Sequence, residues 1–264
     1  HRVVWSLAFV ALLLTLVHKW GRIAEVARSP RRLGMLAAAA VFIASNWGVY
    51  IYGVNSGHVV EVSLGYFINP LVTILMGVVL LRERLRALQW IALALALAAV
   101  IGLTIDYGRL PYISLCLAFS FATYGLIKKR IGVGGLEGLG LETLILAPAA
   151  LAYLIYLQYA ADGSFGHRGA GNVVLLVCAG VLTAVPLLMF AGAANRVTMT
   201  MLGLLQYFTP TLQFLIGVLV FGETMTAARW VGFIMVWAAL AIITTEAIAN
   251  HRRLLRIAAE GSAC

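Results

Sequence analysis

Leu64-Gly-Tyr-Phe-Ile-Asn-Pro70 and Leu204-Leu-Gln-Tyr-Phe-Thr-Pro210 are two versions of one segment. Pro210 stands 140 residues after Pro70, and the same offset joins Asn55 to Asn195, Gly77 to Gly217, Glu83 to Glu223 and Trp90 to Trp230. A chain rich in Leu, Val and Ala matches itself often by chance. Pro and Trp occur only six times each, so their coincidence carries most of the weight. A duplicated apolar unit is a recurrent plan of membrane transporters, so the repeat bears on function as well as on fold.

Composition sets the solvent. Of the 264 residues 62% are hydrophobic and 11% charged, whereas a soluble domain carries roughly 25% charge. A chain of this length cannot hide so much apolar surface from water, and the lipid bilayer is its expected partner. The net charge of +9 comes from short basic clusters between apolar runs. That is a membrane pattern, and no nucleic-acid partner is expected. Cys116, Cys178 and Cys264 have no metal-ligand spacing, nor do His18, His58, His167 and His251, so no metal is expected.

The fold class follows as an all-α membrane protein. Crossing the hydrocarbon takes about 20 mostly apolar residues. Nine stretches qualify, roughly 3–17, 33–54, 61–81, 87–106, 111–127, 139–158, 173–194, 199–221 and 228–248. Under the repeat, 3–17 maps onto 143–157 and 87–106 onto 227–246, while 111–127 would map to positions before His1. The expectation is therefore a ten-helix, five-plus-five inverted-repeat architecture with nine helices present and one preceding His1. Residues 1–108 form the first repeat with four of its five helices, 109–250 the second, and 251–264 a cytoplasmic tail.

Orientation comes from the cations. If the first span runs from outside to inside, Arg2, Arg109, Arg168 and Arg229 lie outside and the other fifteen of the 19 basic residues inside. Basic residues favour the cytoplasmic side, which places the chain as a multi-pass protein of the plasma or inner membrane with a cytoplasmic C-terminus. Five helices per repeat then turn the two copies upside down relative to each other, the arrangement that underlies alternating access.

Pro70 and Pro210 fall in mid-span. Each removes a helical N–H and crowds the carbonyl four residues earlier, on Tyr66 and Gln206. Helix breaks at membrane depth are tolerated beside protein or a wet cavity, so the two prolines are expected to break their helices near the midplane, as substrate-gating points. The polar residues nearby, Tyr66, Asn69, Thr73, Gln206, Tyr207, Thr209 and Gln213, carry no charge. They suit a small amphiphilic or zwitterionic solute, although interhelical hydrogen bonding accounts for any one of them equally well. Asn46, Trp47 and Tyr50 supply a further wall, Trp47 and Tyr50 sharing one helix face. Tyr124 is a further binding candidate or an interfacial anchor. Arg2 and Glu142, equivalent under the repeat, are the candidate charge contacts within spans. Glu61 reads as a helix-start charge complementing the dipole, and Glu83 and Glu223 as loop or capping residues.

The segment Glu61-Val-Ser-Leu-Gly-Tyr-Phe-Ile-Asn-Pro-Leu71, the Asn46-Trp47 pair, the opening His1-Arg2-Val-Val-Trp5 and the run Gln206-Tyr-Phe-Thr-Pro-Thr211 resemble RarD-type members of the EamA group in the drug/metabolite transporter superfamily. The resemblance covers nearly all of the chain. It implies ten helices in two inverted repeats, cytoplasmic termini, and an exporter of small metabolites or drugs associated with chloramphenicol sensitivity. Tyr66, Asn69, Asn46, Trp47 and Gln206 match the family motifs. In the family the helix bearing His1 and Arg2 is the second, so the resemblance implies a first helix that this chain lacks.

The leading reading is a secondary transporter of small organic molecules working by alternating access around a central polar and aromatic cavity. It needs no cofactor, and proton coupling is one way to drive it. No Walker-type loop points to ATP. An intramembrane enzyme would need a nucleophile or metal set, and neither His-Glu-x-x-His, Gly-x-Ser-x-Gly nor paired aspartates occur. A non-transporting sensor or subunit has no sizeable soluble domain to signal with. A homo-oligomer is compatible with all of these readings.

Overall fold

The computed structural model describes residues 1–108, 110–159, 169–219, 227, 230–242 and 244–246, without the side chains of 213, 214 and 217. Among the described residues the regular structure is helical throughout, and helices lie on all nine expected spans. They are α1 (Arg2–Leu16), α2 (Trp20–Ala27), α3 (Pro30–Asn55), α4 (Val59–Leu80), α5 (Ala87–Tyr107), α6 (Tyr112–Ile131), α7 (Gly135–Tyr159), α8 (Gly169–Ala194), α9 (Met199–Gln206) and α10 (Phe208–Leu219), followed by a helix over Trp230–Glu246.

Local chemistry sets the boundaries. Pro30 opens α3, where its missing N–H costs nothing. Gly108 closes α5 in the left-handed conformation (φ 77°), satisfying terminal carbonyls. Lys128, Lys129 and Arg130 fill the last turn of α6, where cations complement the dipole. Among the described residues five helices (α3, α4, α5, α7 and α8) are long and apolar enough to cross a bilayer. The others depart for visible reasons. α6 ends in three cations, α9 and α10 divide one span between them, and α1 meets α2 at a bend of 115°. His18, with φ 54°, makes that bend. α2 is amphipathic, burying Ile23 and Val26 and exposing Arg22 and Glu25.

The chain folds into two compact units, and each draws on both halves of the sequence: His1–Trp47 with Thr123–Val197, and Gly48–Ala122 with Thr198–Cys264. In the first unit α1 packs on α7 and α8, and α2 on α7. Gly180 lets α8 close onto Trp5 and Ser6 of α1, and the Ser6 hydroxyl donates to the Gly180 carbonyl at 2.9 Å. Small residues at such a contact are the usual basis of helix association in lipid. On α8, Leu175, Leu182 and Met189 recur every seven residues, and each is more than 70% exposed. Such a stripe is tolerable only against hydrocarbon.

In the second unit α4 packs on α5, α9 and α10. Its core joins Phe67, Leu71 and Ile74 of α4 to Leu93 and Ala96 of α5, Ala118 of α6, Tyr207, and Phe233 and Val236 of the last helix. Phe67 meets Phe233 edge to face, ring centroids 5.0 Å apart.

The two prolines behave differently. α4 runs through Pro70 uninterrupted, contrary to the expected break. In the second copy the helix is interrupted at Tyr207, one residue past the carbonyl that Pro210 crowds. Tyr207 keeps helical dihedrals (φ −66°, ψ −14°), so the interruption is a lost bond more than a change of direction.

Candidate functional site

The repeated residues converge on the contact of α4 with α9 in the second unit. A Cβ at Gly203 would stand 2.8 Å from the Pro70 carbonyl oxygen and 2.7 Å from Ile74 Cγ1, so only glycine permits this approach. Gly77 does the same at the other end, where a Cβ would lie 2.7 Å from Met199 Cβ and 2.9 Å from Glu83 Oε2. Arg82, with φ 56°, turns the chain after α4. Glu83 then accepts hydrogen bonds from the Met199 and Thr200 amides at 2.7 and 2.9 Å and from the Thr200 hydroxyl at 2.7 Å. A carboxylate on the first two amides of α9 satisfies its unpaired donors and complements its dipole. The reading of Glu83 as a capping residue thus holds, but the helix it caps is one distant in sequence.

Seated in this way, α9 sets Gln206 against α4. Asn69 Nδ2 donates to Gln206 Oε1 at 2.9 Å, and Thr73 Oγ1 lies 3.4 Å from the same oxygen. Among the described residues Asn69 Oδ1, Gln206 Nε2 and the Tyr207 hydroxyl are buried atoms with no protein partner. Whichever way round the two amides are turned, one oxygen and one NH2 remain over. Tyr66 is one turn from Asn69 on the same face of α4 and meets Tyr50 edge-on, centroids 6.5 Å apart. Tyr50, Tyr66, Asn69, Thr73 and Gln206 therefore lie in one unit.

Other expected residues lie elsewhere. Arg2 stands over the ring of Trp47, 5.6 Å from its centroid, in the first unit. Asn46 precedes Trp47 on α3 and is partly buried. Glu142 is matched by Lys128, whose Nζ is 2.7 Å from Oε1, with 1% and 3% of the two side chains exposed. The Tyr124 hydroxyl donates to Glu142 Oε2 at 3.2 Å, and Tyr124 is fully buried, which excludes an interfacial anchor. Its ring stacks on Phe190 and faces the Lys128 ammonium. Gly138 leaves the room that Lys128 occupies, since a Cβ there would be 2.6 Å from Nζ.

Glu61 does more than complement its own helix. It is fully buried, accepting from the Tyr107 hydroxyl at 2.9 Å and the Ile113 amide at 2.8 Å, while its carbonyl accepts from Ser114. It thereby caps α6. The side chain of Gln213, all of Glu223 and the segment 251–264 lie outside the described residues. Sequence reasoning missed Lys128, which reads as one of a run of loop cations. The available signal is its four-residue spacing from Tyr124, which puts both on one helix face. Among the described residues no group of acidic, His and Cys side chains is arranged to hold a metal.

The sequence profile of the EamA-like transporter family matches residues 2–105 and 111–245, nearly the whole chain. The chain belongs to the EamA-like transporter family. Within it the chain is RarD-type. It is 54% identical to "Protein RarD" of Streptomyces exfoliatus over 253 residues, 96% of this chain and 80% of that protein. To "Protein RarD" of Escherichia coli it is 43% identical over 256 residues, 96% and 86% of the two chains. "Chloramphenicol-sensitive protein RarD" of Pseudomonas aeruginosa is 33% identical over 261 residues, 97% of this chain and 85% of its own. A solved crystal structure superposes with a TM-score of 0.65 at 20% identity, covering 96% of this chain and 88% of that one, a likeness of fold alone. The protein is thus a multi-pass helical membrane transporter.

Proposed function

We propose that the chain is a secondary transporter of small organic solutes, metabolites or drugs, and that Asn69, Thr73 and Gln206, with Tyr50 and Tyr66, form its substrate surface. The observation that carries this reading is the pair of buried, unpartnered amide atoms on Asn69 and Gln206. A buried polar atom without a partner costs about 1–3 kcal/mol. Two such atoms beside a contact that Gly77 and Gly203 make possible are better explained by a ligand than by packing.

We further infer two inverted repeats, 1–108 and 109–250, that exchange inward- and outward-open states. The constant offset of 140 residues and the two separately matched stretches support this. The cation asymmetry supports a plasma or inner membrane location with the C-terminus in the cytoplasm. A proton gradient is the first driving force to test. Chloramphenicol is the first drug to test, given the name of the Pseudomonas relative.

The test compares inside-out vesicles from cells with and without the chain, incubated in a cell extract and analysed for every retained small molecule. The reading expects at least one solute to be accumulated only with the chain and to be lost in Asn69→Ala and in Gln206→Ala. If no solute distinguishes the vesicles, the transporter is not of this class. If the solute is retained in both variants, the surface named here is wrong.

A further inference from the structure

The leftover atoms define a chemistry. Asn69 has an acceptor left over and Gln206 a donor, both buried in this structure, and the two residues are joined by their own hydrogen bond of 2.9 Å. A group that answers both must offer one donor and one acceptor side by side, as a carboxamide does. A carboxylate offers acceptors only and would face Asn69 Oδ1 unpaired. An ammonium offers donors only and would face the Gln206 NH2.

Charge points the same way. On α4 the nearest carboxylate before Asn69 is Glu61, eight residues and about 12 Å away along the helix, and it is engaged by Tyr107, Ile113 and its own cap. Glu83 is committed to the amides of α9, and Arg86 pairs with Glu246 at 3.3 Å. The other described charges of the second unit, Arg82, Arg84 and Asp106, are exposed and stand away from the buried amides of Asn69 and Gln206. A charged ligand would lose its hydration there and gain no counterion. One turn from Asn69, Tyr66 and Tyr50 offer aromatic faces and edges against which a flat ring can pack.

We propose that this surface selects an uncharged aromatic carboxamide, or a ring carrying the same adjacent donor and acceptor, and discriminates against the matching carboxylate and ammonium. The inference rests on the reading of Asn69 and Gln206 as the substrate surface and names the class that surface takes.

The experiment uses the full chain in detergent and three probes of one shape, benzamide, benzoate and benzylamine, at neutral pH, with thermal unfolding as the readout. Benzamide at about ten times its dissociation constant is expected to raise Tm by about 3–6 °C, and the two charged probes to leave it unchanged. Gln206→Ala should abolish the benzamide shift. Asn69→Asp, which keeps the shape and adds a negative charge, should lose the benzamide shift and acquire one with benzylamine. The variants' own melts report whether they are folded.

No benzamide shift in the unaltered protein overturns the proposal, because the two atoms are then served by water alone. A benzoate or benzylamine shift that Gln206→Ala removes overturns the chemical class and leaves the surface standing. A benzamide shift that survives both substitutions overturns class and surface together.

Discussion

In the first unit a lysine and a glutamate meet at 2.7 Å, almost wholly buried, and Tyr124 takes the remaining carboxylate oxygen. In the second, two amides meet at 2.9 Å and leave an oxygen and an NH2 unanswered. Both places are expensive in a membrane protein. The first recovers its cost internally, since charge meets charge and each carboxylate oxygen has a donor. The second does not. A closed polar cluster reads as a clasp between α6 and α7, whereas an open one reads as a surface awaiting a partner. Charge alone therefore does not mark the proposed binding surface, because the buried ion pair is the better satisfied of the two.

The two clusters are expected to respond differently to substitution. The largest effect is expected from Lys128→Ala, which leaves Glu142 buried without its counterion. A loss of about 3–5 kcal/mol in unfolding free energy is expected, read as a lower Tm in detergent. The double substitution Lys128→Met with Glu142→Leu should recover most of it, since an apolar pair of similar volume is often neutral. Should the double variant be no better than the single one, the clasp reading fails.

Gly203→Ala comes next. Its methyl would press on the Pro70 carbonyl, which is backbone and cannot swing away. About 1–3 kcal/mol of overpacking cost is expected, together with loss of the solute accumulated in vesicles. Unchanged accumulation would mean that the α4–α9 contact does not shape the site.

Glu83→Ala strips the carboxylate from the first two amides of α9, leaves the Thr198 side-chain cap in place and should cost about 1–2 kcal/mol. Amide hydrogen exchange should rise first at Met199 and Thr200, the two amides it holds. Faster exchange spread evenly over α9 and α4 would instead indicate a general packing role.

The smallest effect on stability belongs to Asn69→Ala. It breaks one hydrogen bond and also removes an unpartnered buried oxygen, so the melt should move by the equivalent of about 1 kcal/mol or less. Its transport should nevertheless fall at least about tenfold, a factor that corresponds to 1.4 kcal/mol in binding. A strong destabilisation with transport intact would reverse the roles assigned to the two units.

Much of the fold was legible in the sequence because hydrophobic length is a local property. Twenty apolar residues declare a span without reference to any other part of the chain. The uncharged character of the region around Asn69 and Gln206 was legible for the same reason, and the constant offset brought Pro70, Gly77 and Glu83 into view as a set. The consequence of Pro70 was not legible. The same residue leaves α4 continuous and accompanies an interruption in its copy, so the outcome depends on neighbours rather than on proline alone.

Composition, periodicity and recurring segments need no partner to be read, and they carry the lipid solvent, the spans, the constant 140-residue offset and the family. Which polar groups are answered is settled by packing. Lys128 finds its carboxylate 14 residues away, Glu83 its helix 116 residues away and Asn69 its amide 137 residues away. Hydrogen bonds are short and directional, so whether a buried atom is satisfied depends on ångström-scale placement that only the packed helices fix.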